Sequence, residues 1–107
     1  MYLYKDNMAN RVSRFMEITL TDEDSGTEYT VHIKEPKLKV YKMFEALDDA
    51  STIDDITAVV SKLVSGNKEG TKFSQEWIED NMSMEEIGQL FEDFTNWIKQ
   101  NKTTNPN

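Results

Sequence analysis

The feature that most constrains the fold is a pair of short segments in which apolar and polar residues alternate. Apolar side chains occupy every second position from Met16 to Leu20 and again from Tyr29 to Ile33. This period of two is typical of a strand with one buried face. An acidic turn ending in Gly26 separates the segments, so together they predict a β-hairpin. Because an isolated hairpin is marginal in water, its apolar face has to be covered by helices or by another chain.

Only helical patterns follow the hairpin. Pro36 ends the second strand and suits the first turn of a helix. The third helix is expected to be short, because the segment from Ser83 to Glu86 is a capping box that opens a further helix. The predicted elements are strands over Val12–Thr21 and Thr27–Lys34, then four helices that begin near Lys37, at Ser51 or Thr52, at Ser74 and at Ser83. Strands first and helices after are typical of the α+β class, here predominantly helical.

The chain is expected to fold as one domain. Its 107 residues are enough for a single core. Residues 1–11 show no clear period and are expected to be a loosely ordered N-terminal extension. Residues 12–100 are expected to form the α+β domain, and residues 101–107 a disordered polar tail. The first helix is expected to run to about Ala50 and to fray there, because Asp48 and Asp49 oppose the helix dipole.

Catalytic chemistry has few candidate groups in this sequence. There is no cysteine, and the one histidine, His32, is expected on the outward face of a strand. The acidic turn that begins at Asp22 resembles the start of a calcium loop. An EF-hand needs an acidic residue or Asn at the fifth position, Gly at the sixth and Glu at the twelfth, where this chain has Gly26, Thr27 and Ile33. We therefore expect a protein that is not an enzyme, with no catalytic residues, no cofactor and no metal site.

Charge and hydropathy restrict the partners. The net charge of −8 disfavours direct binding of DNA or RNA, because phosphate contacts need Lys and Arg. The apolar runs are too short for a membrane span, and the first residues lack the apolar stretch of a secretory signal, so a cytoplasmic protein is expected. Between Phe73 and Ile98 there are seven acidic residues and no basic one. This stretch is either a solvated face that keeps the protein soluble or a surface for a basic partner.

Six apolar residues of the helical half are candidates for a protein-binding surface. Trp, Phe and Met are enriched where proteins meet, and the hairpin and helices offer many apolar positions for a core of this size. Aromatic residues at helical spacing are most often part of a core, and both interpretations stay open. The candidates are Phe73, Trp77, Ile78, Phe91, Phe94 and Trp97, with Met43, Met82 and Met84 as residues that could make such a surface adaptable.

One segment carries a resemblance to a known family. Residues 72–83 read KFSQEWIEDNMS and are followed by the apolar-periodic helix from Ile87 to Ile98. With the hairpin that carries Met16 to Leu20, this arrangement resembles the small tail assembly chaperones of long-tailed bacteriophages and prophages of Gram-positive bacteria. The resemblance covers roughly residues 12–100 and brings no list of binding residues with it.

The resemblance implies a non-catalytic chaperone of phage tail assembly. Such proteins keep the long, aggregation-prone tape measure protein soluble while the tail tube forms, so the expected partner is the tape measure protein and possibly the tail tube protein. The resemblance further implies a location in the cytoplasm of the bacterial host and absence from the mature virion, and it leaves self-association into a homo-oligomer open. An alternative is an acidic, phage-encoded inhibitor or nucleic-acid mimic that binds a host enzyme. A third hypothesis, a structural virion component such as a head–tail connector, would predict stable rings.

Overall fold

A computed structural model of the chain describes residues 1–4 and 14–104. Over these residues it contains a three-stranded antiparallel sheet in the order β1-β2-β3, with β1 Tyr2–Tyr4, β2 Met16–Thr21 and β3 Glu28–Ile33. The predicted hairpin is β2 and β3, and its register places Ile18 opposite Val31. Both of these side chains are almost wholly buried, as the alternation predicts. The strand start predicted at residue 12 lies outside the described residues.

The strand β1 corrects the expectation for the start of the chain. Tyr2–Tyr4 pairs with β2, where the sequence predicts a loosely ordered extension over residues 1–11, and residues 5–11 of that prediction lie outside the described residues. The reason lies in one side chain, because Tyr2 turns its ring into the core and is only 8% exposed. Its hydroxyl donates a 2.8 Å hydrogen bond to Asp93, and its backbone N–H donates a 2.9 Å bond to Glu86. Burial and the neighbouring Asp93 carboxylate both raise the pKa of the Tyr2 hydroxyl, so the ring stays neutral.

Four helices follow within the described residues: α1 Leu38–Glu45, α2 Ile53–Ser65, α3 Gln75–Asn81 and α4 Met84–Thr104. The short third helix and the capping residues are as predicted. Thr52 caps α2, Ser74 caps α3, and Ser83 and Glu86 exchange two hydrogen bonds of 3.1 and 3.0 Å at the start of α4. These side chains satisfy backbone N–H groups that have no partner within the helix.

Two helix ends differ from the sequence-based expectation. The helix α1 ends at Glu45 rather than near Ala50, because Asp48 and Ser51 form a local turn. The Asp48 carboxylate accepts from the Ala50 N–H at 2.8 Å, and the Ser51 hydroxyl accepts from the Asp48 N–H at 2.9 Å. The helix α4 continues to Thr104, into the segment expected to be a disordered tail from residue 101. Residues 105–107 lie outside the described residues.

The core lies between one face of the sheet and the helices, which makes the fold α+β. The inner side chains of β2 and β3 pack with residues of α2, α3 and α4 in one cluster. Its most deeply buried large members are Trp97, Phe94, Met16, Ile18, Leu20, Ile33, Ile78 and Leu90. Over the described part of the chain, no helix combines the length and the apolar character needed to cross a bilayer.

A buried asparagine ties the loop between α2 and α3 to the sheet. Asn67 is 4% exposed, and its amide group donates to the carbonyl oxygens of Val64 at 2.7 Å and Thr71 at 2.8 Å. Its side-chain oxygen accepts from the Thr71 N–H at 3.0 Å. The backbone of Asn67 also forms a bridge to Ile33 at the edge of the sheet. All of its polar side-chain atoms are therefore used to hold one loop conformation.

We expect Asn67→Ala to lower the free energy of unfolding by about 1–3 kcal/mol, because it leaves the Val64 and Thr71 backbone groups without their partner. Chemical denaturation followed by far-UV circular dichroism measures this change. Asn96→Ala, at an exposed position on α4, is the control and should leave stability nearly unchanged. Equal effects of the two substitutions would contradict the role given to Asn67.

Candidate functional site

The six candidate binding residues do not share one surface. Four are core residues: Phe73, Ile78, Phe94 and Trp97 are between 0% and 3% exposed. Trp77 and Phe91 are only half-buried. The structure thus leaves two of the six side chains partly accessible, and these two lie in different aromatic clusters.

Trp77 belongs to a cluster that closes the hairpin turn onto α3. Its ring lies 4.8 Å from that of Phe73 and 6.1 Å, edge to face, from that of Tyr29. The Asp22 carboxylate in the turn accepts from the backbone N–H groups of Asp24 at 2.9 Å and of Ser25 at 3.1 Å. The Ser25 backbone N–H, together with that of Asp24, holds the pKa of Asp22 below its ordinary value. The ring of Trp77 packs within the chain against Phe73 and Tyr29, which favours a structural role.

Phe91 lies on the wall of an open apolar groove of about 350 Å³. The groove is bounded by the C-terminal end of α1, the first turn of α2 and the first two turns of α4. Its lining residues are Phe44, Leu47, Asp48, Ile56, Met84, Ile87, Gly88 and Phe91. Six of these eight are apolar side chains, and one, Asp48, is charged. We name this feature the α1–α4 groove.

The wall of the groove packs against the core. The rings of Phe44 and Phe91 lie 5.1 Å apart in an edge-to-face arrangement, and Phe44 also lies 5.5 Å from the buried Phe94. At the mouth the side chains are accessible, since Met84 is 54% exposed. Ile53, which is 60% exposed, lies one turn before Ile56 on the same face of α2 and extends the apolar surface. The arrangement offers anchored aromatic rings at the wall and a flexible thioether at the rim.

Acidic side chains border the groove. Asp48 belongs to the lining on the α1 side. On α4, Glu85 and Glu92 lie three residues before and four residues after Gly88, so both are its neighbours on the helix surface and both are exposed. The described residues that line the groove include no Lys or Arg. The electrostatic potential at this apolar surface is therefore negative.

Most of the groove is not evident from the sequence. Of the candidate residues only Phe91 lines it, together with Met84 from the methionines named as adaptable. The other lining residues belong to the ordinary apolar stripes of three helices. Of the remaining methionines, Met82 is 9% exposed and belongs to the core, and Met43 lines a second hollow that shares Leu47 with the groove. Sequence spacing shows which helix face is apolar but not where two such faces fail to meet.

The contacts of His32 are explained by a structural role and do not require a catalytic one. It lies on the outward face of β3, as expected, and its ring is hydrogen-bonded to Glu69 and lies 3.4 Å from Glu17. Its backbone N–H also donates to Glu69 at 2.8 Å, and its carbonyl accepts from Lys68 at 3.0 Å. These contacts attach the loop before α3 to the sheet. Among the described residues no group of three or more His, Asp or Glu side chains is placed to hold a metal ion.

Comparison of the chain with protein-family models, with curated proteins and with solved structures finds no match. Indications of function therefore come from the resemblance seen in the sequence and from the geometry of the α1–α4 groove.

The contact between His32 and Glu69 makes stability depend on pH. Burial opposes ionisation of Glu69, but the His32 N–H and ring outweigh it and hold the pKa of Glu69 below its ordinary value of 4.5. A lowered folded-state pKa stabilises the fold above the ordinary value, and this contribution is lost as the pH falls through the lower, folded-state pKa. We expect Glu69→Gln to lower the Tm at pH 7, and the difference from the unsubstituted chain to shrink towards pH 3.

Thermal unfolding at neutral and acidic pH measures the difference. Glu76→Gln, at an exposed position on α3, is the control for removing one negative charge from an acidic protein. A Tm difference for Glu69→Gln that stays constant with pH would show that the carboxylate contributes through packing alone.

Proposed function

We propose that this protein is a non-catalytic chaperone that binds an apolar segment of another protein. In line with the resemblance of its sequence to phage tail assembly chaperones, the proposed client is the tape measure protein, kept soluble while the tail tube forms. The observation that carries the proposal is the α1–α4 groove, an accessible apolar surface with anchored aromatic rings. Accessible apolar surface of this kind marks sites where proteins bind one another.

The groove suits one face of a client helix. Amphipathic helices bind apolar grooves by inserting side chains from successive turns. Here Phe44 and Phe91 would contact such side chains at the wall, and Met84 would adjust to their shape at the rim. The net charge of −8 would keep the complex soluble after the groove is covered. Several chains along one extended client would add their binding energies through avidity.

The alternative, an acidic mimic of nucleic acid, makes different demands on the surface. Such a protein needs carboxylates spaced along a continuous face, with its apolar residues internal. Exposed Met84 and Ile53 at the groove favour the chaperone instead. The two proposals also differ in salt dependence, since binding by carboxylates weakens steeply with ionic strength and apolar binding persists.

Co-expression tests the proposal directly. The proposed client, a tape measure protein, is produced in bacteria alone and together with the chain, and its soluble fraction and its recovery in an affinity pull-down are measured. We expect it to aggregate alone and to be recovered with the chain even at high salt. A client that is equally insoluble in both cultures would overturn the chaperone proposal, and capture of a host nucleic-acid enzyme that is released by salt would support the mimic.

A substitution at the rim locates the binding surface. We expect Met84→Gln to weaken client binding about three- to tenfold, because partial burial of one Met side chain contributes about 1 kcal/mol. Leu38→Gln is the matched control, since Leu38 is 79% exposed but does not line the groove. Pull-down yield against client concentration compares the two variants. If Leu38→Gln weakens binding as much as Met84→Gln does, the client binds elsewhere.

A further inference from the structure

Gly88 is an unusual residue for its position. It lies in the interior of α4, on the groove side, four residues after Met84 and three before Phe91. Glycine inside a helix is about 1 kcal/mol less favourable than alanine. Glycine is tolerated inside a helix where a larger side chain would clash with its surroundings, or where the backbone takes a conformation that glycine adopts more readily than other residues.

Neither structural reason applies to Gly88. A Cβ atom placed there would meet no other atom within 4 Å, and the backbone does not take the positive φ that Gly26 and Gly70 take. The packing of this chain on itself would therefore accept a larger residue at position 88. What glycine does achieve is to leave the floor of the α1–α4 groove bare, so that another chain can approach the α4 backbone.

We propose that Gly88 is the crossing point of a partner helix that carries basic residues beside its apolar stripe. The partner helix lies against the bare backbone of α4, directs apolar side chains towards Phe91 and Met84, and places Lys or Arg beside Glu85 and Glu92. This inference rests on the proposed function and specifies the client segment that the groove binds. Small residues at a crossing point allow two helices to approach closely, and the apolar contacts on either side then form.

Charge selects this occupant over a second copy of the same chain. Asp48 lines the groove, Glu85 and Glu92 lie beside Gly88 on the surface of α4, and the chain as a whole carries a net charge of −8. Two copies meeting at this face would bring like charges together in an interface that excludes water, which is unfavourable. Along α4 as far as Ile98, a second copy has no basic residue to offer to these acids. A helix with Lys or Arg at the edges of its apolar face satisfies both the apolar floor and the acidic border.

The test uses two synthetic helical peptides of about 20 residues, long enough to form an amphipathic helix. They share one stripe of Leu and Phe and differ only in their flanking residues, which are Lys in one peptide and Glu in the other. Titration into the full-length chain is followed by NMR of the backbone amides. We expect the Lys peptide to bind and to shift the amide signals around Gly88, and the Glu peptide to bind at least about tenfold more weakly at low salt.

Two substitutions then fill the floor of the groove. Gly88→Ala and Gly88→Met should raise the Tm, because both residues are better helix formers, and should weaken binding of the Lys peptide, Met by about tenfold or more. Asn96→Ala on the exposed face of α4 is the control, since it also introduces a better helix former and can raise the Tm but should leave binding unchanged. A gain in stability together with a loss of binding cannot come from misfolding. Unchanged affinity in Gly88→Met, or signal shifts remote from Gly88, would overturn the inference.

The same variants separate this inference from the proposed function. If the unsubstituted chain solubilises the tape measure protein and Gly88→Met does so equally well, the chaperone proposal stands and the crossing point is wrong. If the unsubstituted chain fails to solubilise that client but binds the Lys peptide at Gly88, the groove is a helix-binding site and the proposed client is wrong.

Discussion

The structure depends on the burial of one face of a small sheet beneath the last helix. The sheet alone would be marginal in water, because its inner side chains would be exposed. Trp97 and Phe94 of α4, at 1% and 2% exposure, belong to the same core cluster as Met16 and Leu20 of β2. Burying an aromatic side chain contributes roughly 1.5–3 kcal/mol. The strand β1 is held to the same helix through Tyr2. The three strands and α4 therefore form the central part of the fold, and the other helices complete its core.

The helix α1 is less deeply buried than α4. None of its residues is buried, and it rests on the core through the rings of Tyr41 and Phe44. Because it ends at Glu45, it covers only part of the apolar surface that the first turns of α2 and α4 present. Leu47, just beyond its end, lines both the groove and the second hollow. The groove thus follows from where α1 stops, and the stop follows from the turn chemistry of Asp48 and Ser51. A helix with few buried contacts is also the element that opens at least cost.

Much of this fold can be predicted from the sequence, and the failures have physical causes. The hairpin and the helix caps are determined by residues close together in the sequence, as at Thr52 and Ser83. The predictions of the hairpin and of these caps are confirmed. The strand β1 is not predicted because three residues are too few to show a period, and its pairing depends on Tyr2 reaching Asp93 across the whole chain. The six candidate binding residues are chosen by residue type. Whether such a side chain is buried depends on how the faces of the helices and the sheet pack together. Gly88 carries a signal that sequence reasoning could use, since it interrupts the apolar stripe between Met84 and Phe91 with a residue poorly suited to a helix.

Taken alone, the acidic stretch indicates a solvated or nucleic-acid-like face. The apolar groove, taken alone, indicates a binding surface. Their positions on α4 relate them. Glu85 and Glu92 border Gly88 on the same helix surface, while Ile87 and Phe91 turn towards the groove and the core. A partner helix that fills the apolar floor must place its own flanks against these carboxylates. On this proposal the acids act in two ways, since they would repel other copies of this chain from an exposed apolar surface and would favour partner helices with basic flanks. Apolar burial would determine how long such a complex lasts, and the carboxylates would determine which helices form it.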